Sequence, residues 1–285
     1  MKSIAIIASF RNEAESLDKF ISSIEKISKN FKKLDYKIIF VNDFSNDDSE
    51  KIIKNKMKTN KKILLINTKK NYGGSHCIHY GFNLIPKNFY ATVIDCDLQD
   101  PINLIFKTLD IAKKDVLYHF QRMQRNEGFF QTTYTIIAYI ILSLVSLNKI
   151  VFNSNYFKII PSHIVEKIKL SKEIYPYWNY FIFKYAIKNK IIRYKRRNRT
   201  LGQPKFGIFN TNPWATFYSA LGCFFFNSLI FFILLIILTY LIFFKLPLLN
   251  FFLILLQVFN LLIFVIFYIN KKYKKKIKLD VEVIY

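Results

Sequence analysis

The chain has 285 residues, and 52% of them are hydrophobic although the formal net charge is +24. This combination argues against an ordinary soluble domain, and it agrees with a chain that lies partly in lipid and otherwise faces an anionic surface. The cysteines have no framework spacing, which argues against a disulfide-stabilised scaffold; they are Cys77, Cys96 and Cys223.

The N-terminal part of the chain alternates short apolar runs with amphipathic segments. The runs predicted as strands are Ile4–Ala8, Lys37–Val41, Ile63–Ile66, Ala91–Ile94 and Val116–His119. The segments predicted as helices are Glu13–Ser28, Asp48–Lys58, Ser75–Leu84 and Ile102–Ala112. Strands separated by helices indicate βαβ units, so we expect an α/β domain with a mostly parallel sheet flanked by helices over residues 1–210.

Residues 129–152 form the next apolar segment. Its most apolar part, Tyr134–Leu147, is too short to span a bilayer comfortably. A span here would also put Asp95 and Lys205 on opposite sides of the membrane. We therefore expect a helix that lies at the membrane interface with its apolar face towards the lipid.

Two long uncharged runs follow, separated by Lys245-Leu246-Pro247. Each run exceeds the roughly 20 residues that a helix needs to span a bilayer. The sequence therefore predicts a transmembrane hairpin over residues 214–270, with spans at about 217–244 and 248–269. Uncharged polar residues within it are placed to pair between the helices; they are Asn227, Asn250, Gln257 and Asn260.

Basic residues flank this hairpin on both sides. They are Arg193, Lys195, Arg196, Arg197, Arg199 and Lys205 before it, and Lys271, Lys272, Lys274, Lys275, Lys276 and Lys278 after it. The positive-inside rule then predicts a multi-pass protein of the cytoplasmic (inner) membrane, with the N-terminal domain, a basic tail at 271–285 and both termini in the cytoplasm. Since the clusters flank the spans, they favour anionic lipid headgroups over nucleic acid as a partner.

The string Asp95-Cys96-Asp97-Leu98-Gln99-Asp100-Pro101 directly follows a predicted strand. Mg²⁺ and Mn²⁺ favour such hard oxygen ligands, commonly with phosphates completing the coordination shell. The sequence therefore predicts a divalent-metal site that involves Asp95, Asp97 and Gln99. The alternative is an Asp-rich turn closed by Pro101.

Three further strings lie at the ends of strands or the start of a helix. They are Ser9-Phe10-Arg11-Asn12-Glu13, Val41-Asn42-Asp43-Phe44-Ser45-Asn46-Asp47 and Asn71-Tyr72-Gly73-Gly74. Because loops beyond the carboxyl ends of parallel strands meet at one edge, we expect one crevice to collect them. With the Asp-x-Asp-Leu-Gln-x-Pro string, they resemble family 2 glycosyltransferases of the Rossmann-like GT-A fold. The resemblance is to the dolichol-phosphate mannose synthase branch, including bacterial polyprenyl-phosphate glycosyltransferases, and it covers the whole chain in order.

The resemblance implies roles for the matching residues. Nucleotide-sugar binding falls to Ser9, Arg11, Glu13, Asp43 and Asp95. The metal ligands are Asp95, Asp97 and Gln99. The catalytic residues are Asp97, Gln99, Arg122 and Arg125. The two arginines are expected near phosphate. The late string, residues 199–206, assigns the acceptor phosphate to Arg199 and Lys205.

These roles together imply a membrane-anchored inverting glycosyltransferase. It would use Mg²⁺ or Mn²⁺ to move a sugar from a nucleotide-diphosphate sugar to a polyprenyl (undecaprenyl) phosphate. A phosphate acceptor is already anionic near neutral pH, which fits the absence of an obvious general base in the sequence. One alternative is transfer to a hydroxyl of a lipid-linked glycan or glycolipid, and another is a non-catalytic sugar-nucleotide-binding protein in the membrane. A homo-oligomer is compatible with the sequence.

The chain also departs from the family pattern. Asn42-Asp43-Phe44-Ser45 stands where Asp-Asp-Gly-Ser is usual, and Arg11 replaces an aromatic residue. Pro204-Lys205-Phe206 replaces Ser-Lys-Tyr, and residues 153–159 replace Asp-x-Gly-Asp-Phe-Arg-Leu. These changes leave the metal-diphosphate string intact, and they affect the contacts expected for the base, the sugar and the acceptor.

Overall fold

The computed structural model describes residues 1–124, 129–170, 182, 184–185, 188–197, 211–272 and 280–285. The strands are β1 (Lys2–Phe10), β2 (Leu34–Asn42), β3 (Ile63–Thr68), β4 (Tyr90–Val93), β5 (Val116–Arg122), β6 (Ser154–Ile159), β7 (Lys188–Tyr194) and β8 (Val281–Ile284). The helices are α1 (Ala14–Ser28), α2 (Ser49–Thr59), α3 (Gly74–Asn83), α4 (Ile102–Ile111), α5 (Phe129–Val145), α6 (Ser162–Leu170), α7 (Thr211–Cys223), α8 (Phe225–Ile242) and α9 (Pro247–Lys272).

The larger sheet has the strand order β4-β1-β2-β3-β8, and its first four strands run parallel. This confirms the predicted parallel sheet and its four helices. In the central strand β1, Ile4 and Ile6 lie in the core with α1, α2 and α4, whereas Ala5 and Ile7 lie in the core with α3 and α6. Burial on both faces explains why β1 is an unbroken apolar run.

Helix packing against this sheet follows simple patterns. In α1, the buried apolar residues recur at intervals of three and four; they are Leu17, Phe20, Ile21 and Ile24. Each of these side chains contributes on the order of 2 kcal/mol by leaving water. On the other face, a Cβ at Gly81 of α3 would lie 2.9 Å from Cγ2 of Ile7, so glycine permits the close approach of α3 to β1.

A smaller sheet with the order β6-β5-β7 extends the domain. An isolated antiparallel bridge between Ala91 and Ile160 joins it to the larger sheet, with backbone hydrogen bonds of 2.9 and 2.8 Å. Strand β7 is exposed over most of its length. It therefore lacks the apolar run that makes a strand predictable from sequence.

The C-terminal segment contains a strand that the sequence does not predict. The sequence predicts a basic tail over residues 271–285, but Val281–Ile284 form β8, antiparallel to β3 in the larger sheet. Val281 pairs with Thr68 and Ile284 pairs with Leu65. A four-residue run after many lysines carries too short a pattern to reveal this long-range pairing.

Helices α8 and α9 are the two in the described part of the chain that are long and apolar enough to cross a membrane. Only 17% and 11% of their most apolar segments are buried, which argues against core helices of a soluble domain. The first predicted span, 217–244, starts later, at Phe225. The chain turns at Phe224, where the Ser228 hydroxyl donates to the Leu221 carbonyl at 2.9 Å, and the preceding residues form the separate helix α7.

Two of the four polar residues that the sequence places to pair between the hairpin helices do so. Gln257 Nε2 donates to Thr239 Oγ1 at 2.6 Å, and Asn250 Nδ2 donates to the Tyr240 carbonyl at 3.4 Å, so both bonds join α8 and α9. The other two polar residues pair with neighbouring helices, because Asn227 Nδ2 donates to the Val145 carbonyl of α5 at 2.8 Å and Asn260 Oδ1 accepts Tyr218 of α7 at 3.4 Å.

Helix α5 ends at Val145, seven residues before the predicted boundary of 152. Leu142 and Val145 pack into one apolar cluster with Ala220 of α7 and Phe264 of α9. Another set of its apolar side chains is exposed: Ile136, Ile137, Ile140 and Leu144. The helix is therefore apolar on two sides, one of which contacts the hairpin.

Candidate active site

The loops that follow β1 and β2 are fastened to each other at the carboxyl edge of the sheet. The bonds run from Asn12 N to Ser45 Oγ, from Asn46 N to Asn12 Oδ1, from Glu13 N to Ser49 Oγ and from Ala14 N to Asp47 Oδ2, at 3.0 to 3.1 Å. Every bond joins one loop to the other or to the helix beyond it, so the two loops hold each other in place.

The predicted nucleotide-binding residues of the first loop lie at this edge. Ser9 ends close to α3, where it hydrogen-bonds the buried Cys77 thiol. Arg11 is exposed. Glu13 is half-buried at the start of α1, and its carboxylate accepts the Ser16 hydroxyl at 3.4 Å rather than capping backbone amides.

Asp43 holds the loop that follows β3. Its Oδ1 accepts Tyr72 N at 2.7 Å and its Oδ2 accepts Gly73 N at 3.0 Å. Gly73 has φ +86, a left-handed value that favours glycine. Asp43 is only 5% exposed, so the structure gives it a loop-anchoring role beside its predicted contact with the nucleotide.

The C-terminal strand reaches this same loop. The Asp280 amide donates to the Tyr72 hydroxyl at 3.0 Å, and Lys69 N donates to the Asp280 carbonyl at 3.1 Å. A chain of contacts therefore runs from β8 through Tyr72 to Asp43. Nothing in the local sequence around Tyr72 signals this contact, because its partner is 208 residues away.

The Asp-x-Asp loop faces an arginine that sequence reasoning counted only among the charges flanking the membrane. One terminal nitrogen of Arg196 lies 3.7 Å from Asp95 Oδ2 and 3.6 Å from Asp97 Oδ2. Arg196 Nε lies 3.1 Å from Asp100 Oδ1. All three carboxylates thus converge on one guanidinium group.

Asp100 is the buried anchor of this cluster, at 3% exposure. It accepts the Tyr194 hydroxyl at 2.6 Å, and Arg122 lies 3.7 Å from its second oxygen. The parallel register of β5 and β7 sets Arg122 opposite Tyr194, two residues before Arg196. Strand pairing therefore brings the predicted Arg122 and the unpredicted Arg196 to the same loop.

Gln99 ties the Asp-x-Asp loop to the chain beyond β7. Its amide N–H donates to Asp97 Oδ1 at 3.2 Å, and its side-chain nitrogen donates to the Arg197 carbonyl at 3.3 Å. Arg197 N in turn donates to the Gln99 carbonyl at 3.0 Å. These bonds fix the orientation of Asp97.

The cluster carries an excess of negative charge, with three carboxylates facing Arg122 and Arg196. Desolvation by the surrounding protein is the main cause that raises the pKa of Asp95 to about 6, and the negative charges of Asp97 and Asp100 add to it. Burial lowers the pKa of Arg122, but the Asp100 carboxylate and its neighbours outweigh that and raise it overall. A cationic ligand would therefore relieve the repulsion among the carboxylates.

The donor set fits a hard divalent cation with few protein ligands. Asp95 Oδ2 and Asp97 Oδ2 converge, since both lie within 3.7 Å of the same nitrogen. No group of three or more His, Cys, Asp or Glu residues that could hold a metal occurs in the described ranges. A cation here would complete its shell with water and with phosphate oxygens of a ligand.

Three predicted site residues lie outside the described residues: Arg125, Arg199 and Lys205. Their roles stay predictions. Sequence reasoning gave no chemistry to His119 and Lys158, which face each other on β5 and β6 and are fully buried. Burial is the main cause that lowers the pKa of His119 to about 3, and the positive charge of Lys158 adds to it. Burial likewise lowers the pKa of Lys158 to about 7, and the positive charge of Arg122 adds to that shift.

Comparison with known families identifies this arrangement. Residues 5–169, more than half of the chain, match the model of the family described as Glycosyl transferase family 2. The chain belongs to this glycosyltransferase family. The match contains every strand and loop of the donor edge described above except β7, β8 and the segment around Arg196.

Individual relatives are distant. The uncharacterized glycosyltransferase YkcC of Bacillus subtilis is 25% identical over 178 residues, which are 62% of this chain and 55% of that protein. A prophage bactoprenol glucosyl transferase homolog of Escherichia coli is 25% identical over 220 residues, which are 76% of this chain and 70% of that protein. The chain thus spans about half of the first relative.

A solved structure supports the fold. Glucosyl-3-phosphoglycerate synthase from Mycobacterium tuberculosis, in complex with Mn²⁺, uridine diphosphate and phosphoglyceric acid, has a TM-score of 0.53. It is 12% identical, and the match covers 80% of this chain and 78% of that chain. This likeness confirms the predicted GT-A architecture of the α/β domain.

Proposed function

We propose that this protein is a membrane-anchored inverting glycosyltransferase that moves a sugar from a nucleotide-diphosphate sugar to a polyprenyl phosphate at the cytoplasmic face of the membrane. The observation that carries the proposal is the loop of Asp95, Asp97 and Asp100 with Arg122 and Arg196, set at the carboxyl edge of a family 2 sheet. An apolar hairpin follows this domain in the same chain.

The donor half of the proposal rests on charge. Asp95 and Asp97 would hold Mg²⁺ or Mn²⁺ together with the diphosphate, and a bound cation neutralises charge that develops on the leaving group. The neighbour from Mycobacterium tuberculosis is described with Mn²⁺ and uridine diphosphate, which agrees with such a site. Arg196 is placed to contact the same phosphates, because a guanidinium can bind phosphate through two nitrogens.

The transfer is a single displacement at the sugar. An oxygen of the acceptor phosphate forms a bond to the anomeric carbon, and the bond from that carbon to the diphosphate breaks on the opposite face, which inverts the configuration. Arg122 and Arg196 stabilise the negative charge of the departing diphosphate. Asp100 keeps both arginines in place through contacts of 3.1 to 3.7 Å.

The acceptor half rests on which carboxylates are engaged. Asp43 accepts two backbone amides, and Asp100 accepts Tyr194 and contacts two arginines. Neither of these two carboxylates is placed as a general base, which agrees with an acceptor that is already anionic. Relatives named bactoprenol glucosyl transferase agree with a lipid phosphate. Arg125, Arg199 and Lys205 remain the predicted phosphate contacts.

Membrane placement brings the two substrates together. The exposed apolar residues of α5 would lie in the lipid interface, so that a lipid phosphate enters from the side while the nucleotide sugar enters from water. The pairing of β8 with β3 supports a C-terminus on the same side of the membrane as the catalytic domain. The basic flanks of the hairpin support the cytoplasm as that side.

The test uses the full chain, purified in detergent, with undecaprenyl phosphate, Mn²⁺ or Mg²⁺ and a panel of nucleotide sugars. We expect wild type to form a glycolipid with at least one donor and Asp97→Ala to lose about 1,000-fold in rate. Asp115→Asn, which changes an exposed aspartate paired with Lys188, serves as the control and should keep wild-type activity. Wild-type protein that binds nucleotides but forms no product would contradict the proposal.

A further inference from the structure

Phe44 is an exposed aromatic side chain on a strained backbone. Its φ is +58, within the left-handed region that glycine adopts readily and bulky residues avoid. The side chain is 51% exposed, so no packing in the core explains why a phenylalanine stands here. Strain of this kind at a ligand-binding edge is a reason to look for function.

The surrounding loop enforces this conformation. Ser45 N donates to Asn42 Oδ1 at 2.9 Å, and Ser45 Oγ accepts Asn12 N at 3.0 Å. On the other side of Phe44, the Asp43 carboxylate is bound by the loop after β3. Both neighbours of Phe44 are therefore fixed, and the ring is presented from a backbone that cannot relax without breaking these bonds.

The loop that carries Phe44 lies at the donor edge of the sheet. Phe44 lies in the loop after β2, at the carboxyl edge of the parallel sheet, and this loop is bonded to the loop after β1, which the proposed function also assigns to the nucleotide sugar. Asp43, the predicted contact to the base or ribose, is 5% exposed and holds backbone amides. A half-exposed aromatic side chain directly after this buried aspartate in the chain suits a flat, aromatic ligand group.

We infer that Phe44 stacks on the nucleobase of the sugar nucleotide and contributes to its binding. The inference rests on the proposed function, because it assigns a contact within that donor site. Stacking on an aromatic side chain accepts any base, since every base has a π-face. Phe44 therefore raises affinity for nucleotides in general, while hydrogen bonds elsewhere select the base.

The experiment measures binding of nucleoside diphosphates and of inorganic pyrophosphate, each with Mn²⁺, to full-length protein by calorimetry. The variants are Phe44→Ala, Phe44→Leu, Phe44→Tyr and Phe44→Gly. We expect Phe44→Ala and Phe44→Gly to bind the preferred nucleotide about 5- to 20-fold more weakly, and Phe44→Tyr to stay within about twofold of wild type. Phe44→Leu should bind as weakly as Phe44→Ala, because leucine has no π-face although it keeps apolar volume.

Pyrophosphate separates the base contact from the phosphate contacts. Its affinity should be equal in wild type and all four variants, since it carries no base. Thermal unfolding gives an independent check, because Phe44→Gly relieves the positive φ and should unfold at a higher temperature than Phe44→Ala. If Phe44→Gly is more stable than Phe44→Ala and still binds nucleotide weakly, loss of folding cannot explain the weaker binding.

Several results would overturn the inference. Nucleotide affinity that is unchanged in Phe44→Ala, or equal in Phe44→Leu and wild type, excludes stacking. Pyrophosphate affinity that falls in parallel with nucleotide affinity would instead indicate a general disturbance of the site. Wild-type protein that binds pyrophosphate but no nucleoside diphosphate overturns the proposed function itself, and this result is distinct from a failure of Phe44 alone.

Discussion

The donor edge and the membrane hairpin are held together in opposite ways. At the edge, side chains far apart in sequence make specific polar contacts, such as Arg196 with Asp95, Asp97 and Asp100. In the hairpin, large apolar surfaces carry a small number of polar bonds, such as Gln257 with Thr239. Specific side-chain contacts thus hold the donor edge together, whereas the apolar composition of the helices holds the hairpin in place. Single substitutions should have large effects at the edge and small effects in the hairpin.

After the loss expected for Asp97→Ala, the largest effect is expected at Arg196. Arg196→Ala removes the guanidinium group that three carboxylates share, and with it a contact proposed for the diphosphate. Glycolipid formation should therefore slow by about 100-fold. Arg196→Lys keeps the charge without the planar fork and should be intermediate. Arg193→Ala is the control, because Arg193 is an exposed arginine of β7, three residues before Arg196. A loss of less than about threefold in Arg196→Ala would place the arginine outside the reaction.

A smaller effect is expected when β8 is removed. A chain ending at residue 279 loses the Asp280 contact to Tyr72, which steadies the loop on Asp43. Nucleotide affinity should fall by about 10-fold, because binding must then order the loop that carries Tyr72. Insertion of the hairpin into vesicles should be unchanged. Deletion of Tyr285 alone, which is 87% exposed, is the control. Equal affinities in the truncated and complete chains would make β8 irrelevant to the donor site.

Lys158 sets a pH dependence on stability. Burial, followed by Arg122, lowers its pKa from 10.5 to about 7. Between those pH values the unfolded chain binds more protons than the folded chain, so stability rises as pH increases from about 7 to about 10. Lys158→Met removes this contribution, and its unfolding temperature should therefore change less over that range. Parallel curves for wild type and variant would show that Lys158 is not buried.

The smallest effect is expected in the hairpin. Gln257→Leu and Thr239→Val each remove one interhelical hydrogen bond, which contributes about 0.6 kcal/mol in membrane helices. The double variant should cost no more than either single variant, because both remove the same bond. Thermal unfolding in detergent measures these costs. A collapse of nucleotide binding in either variant would contradict the separation of the two regions.

The regions also differ in what the sequence reveals. Strands β1 to β5 were predictable, because each is an apolar run bounded by turn residues, and the spans were predictable from uncharged length. Arg196 was not, because six basic residues before the hairpin look alike until the register of β5 and β7 selects one. Tyr72 and β8 were missed for the same reason, since their contact joins opposite ends of the chain.

The site was predictable where chemistry is written in consecutive residues. Asp95, Asp97 and Gln99 lie in one string, and the structure gathers them in one loop that also contains Asp100. The anchoring role of Asp43 was not predictable, because its partners Tyr72 and Gly73 come from a different loop. Phe44 was visible only as a departure from the family pattern, since its positive φ depends on bonds that the sequence does not show.

The central claim is that the acceptor is a lipid phosphate, and a comparison of undecaprenyl phosphate with undecaprenol tests it most directly. Both lipids are offered to the full-length protein with Mn²⁺ and the donor selected by the panel, and products are identified by mass spectrometry. The account predicts one sugar added to undecaprenyl phosphate, through its phosphate, and no product from undecaprenol. Equal transfer to both lipids, or transfer only to the alcohol, would contradict it.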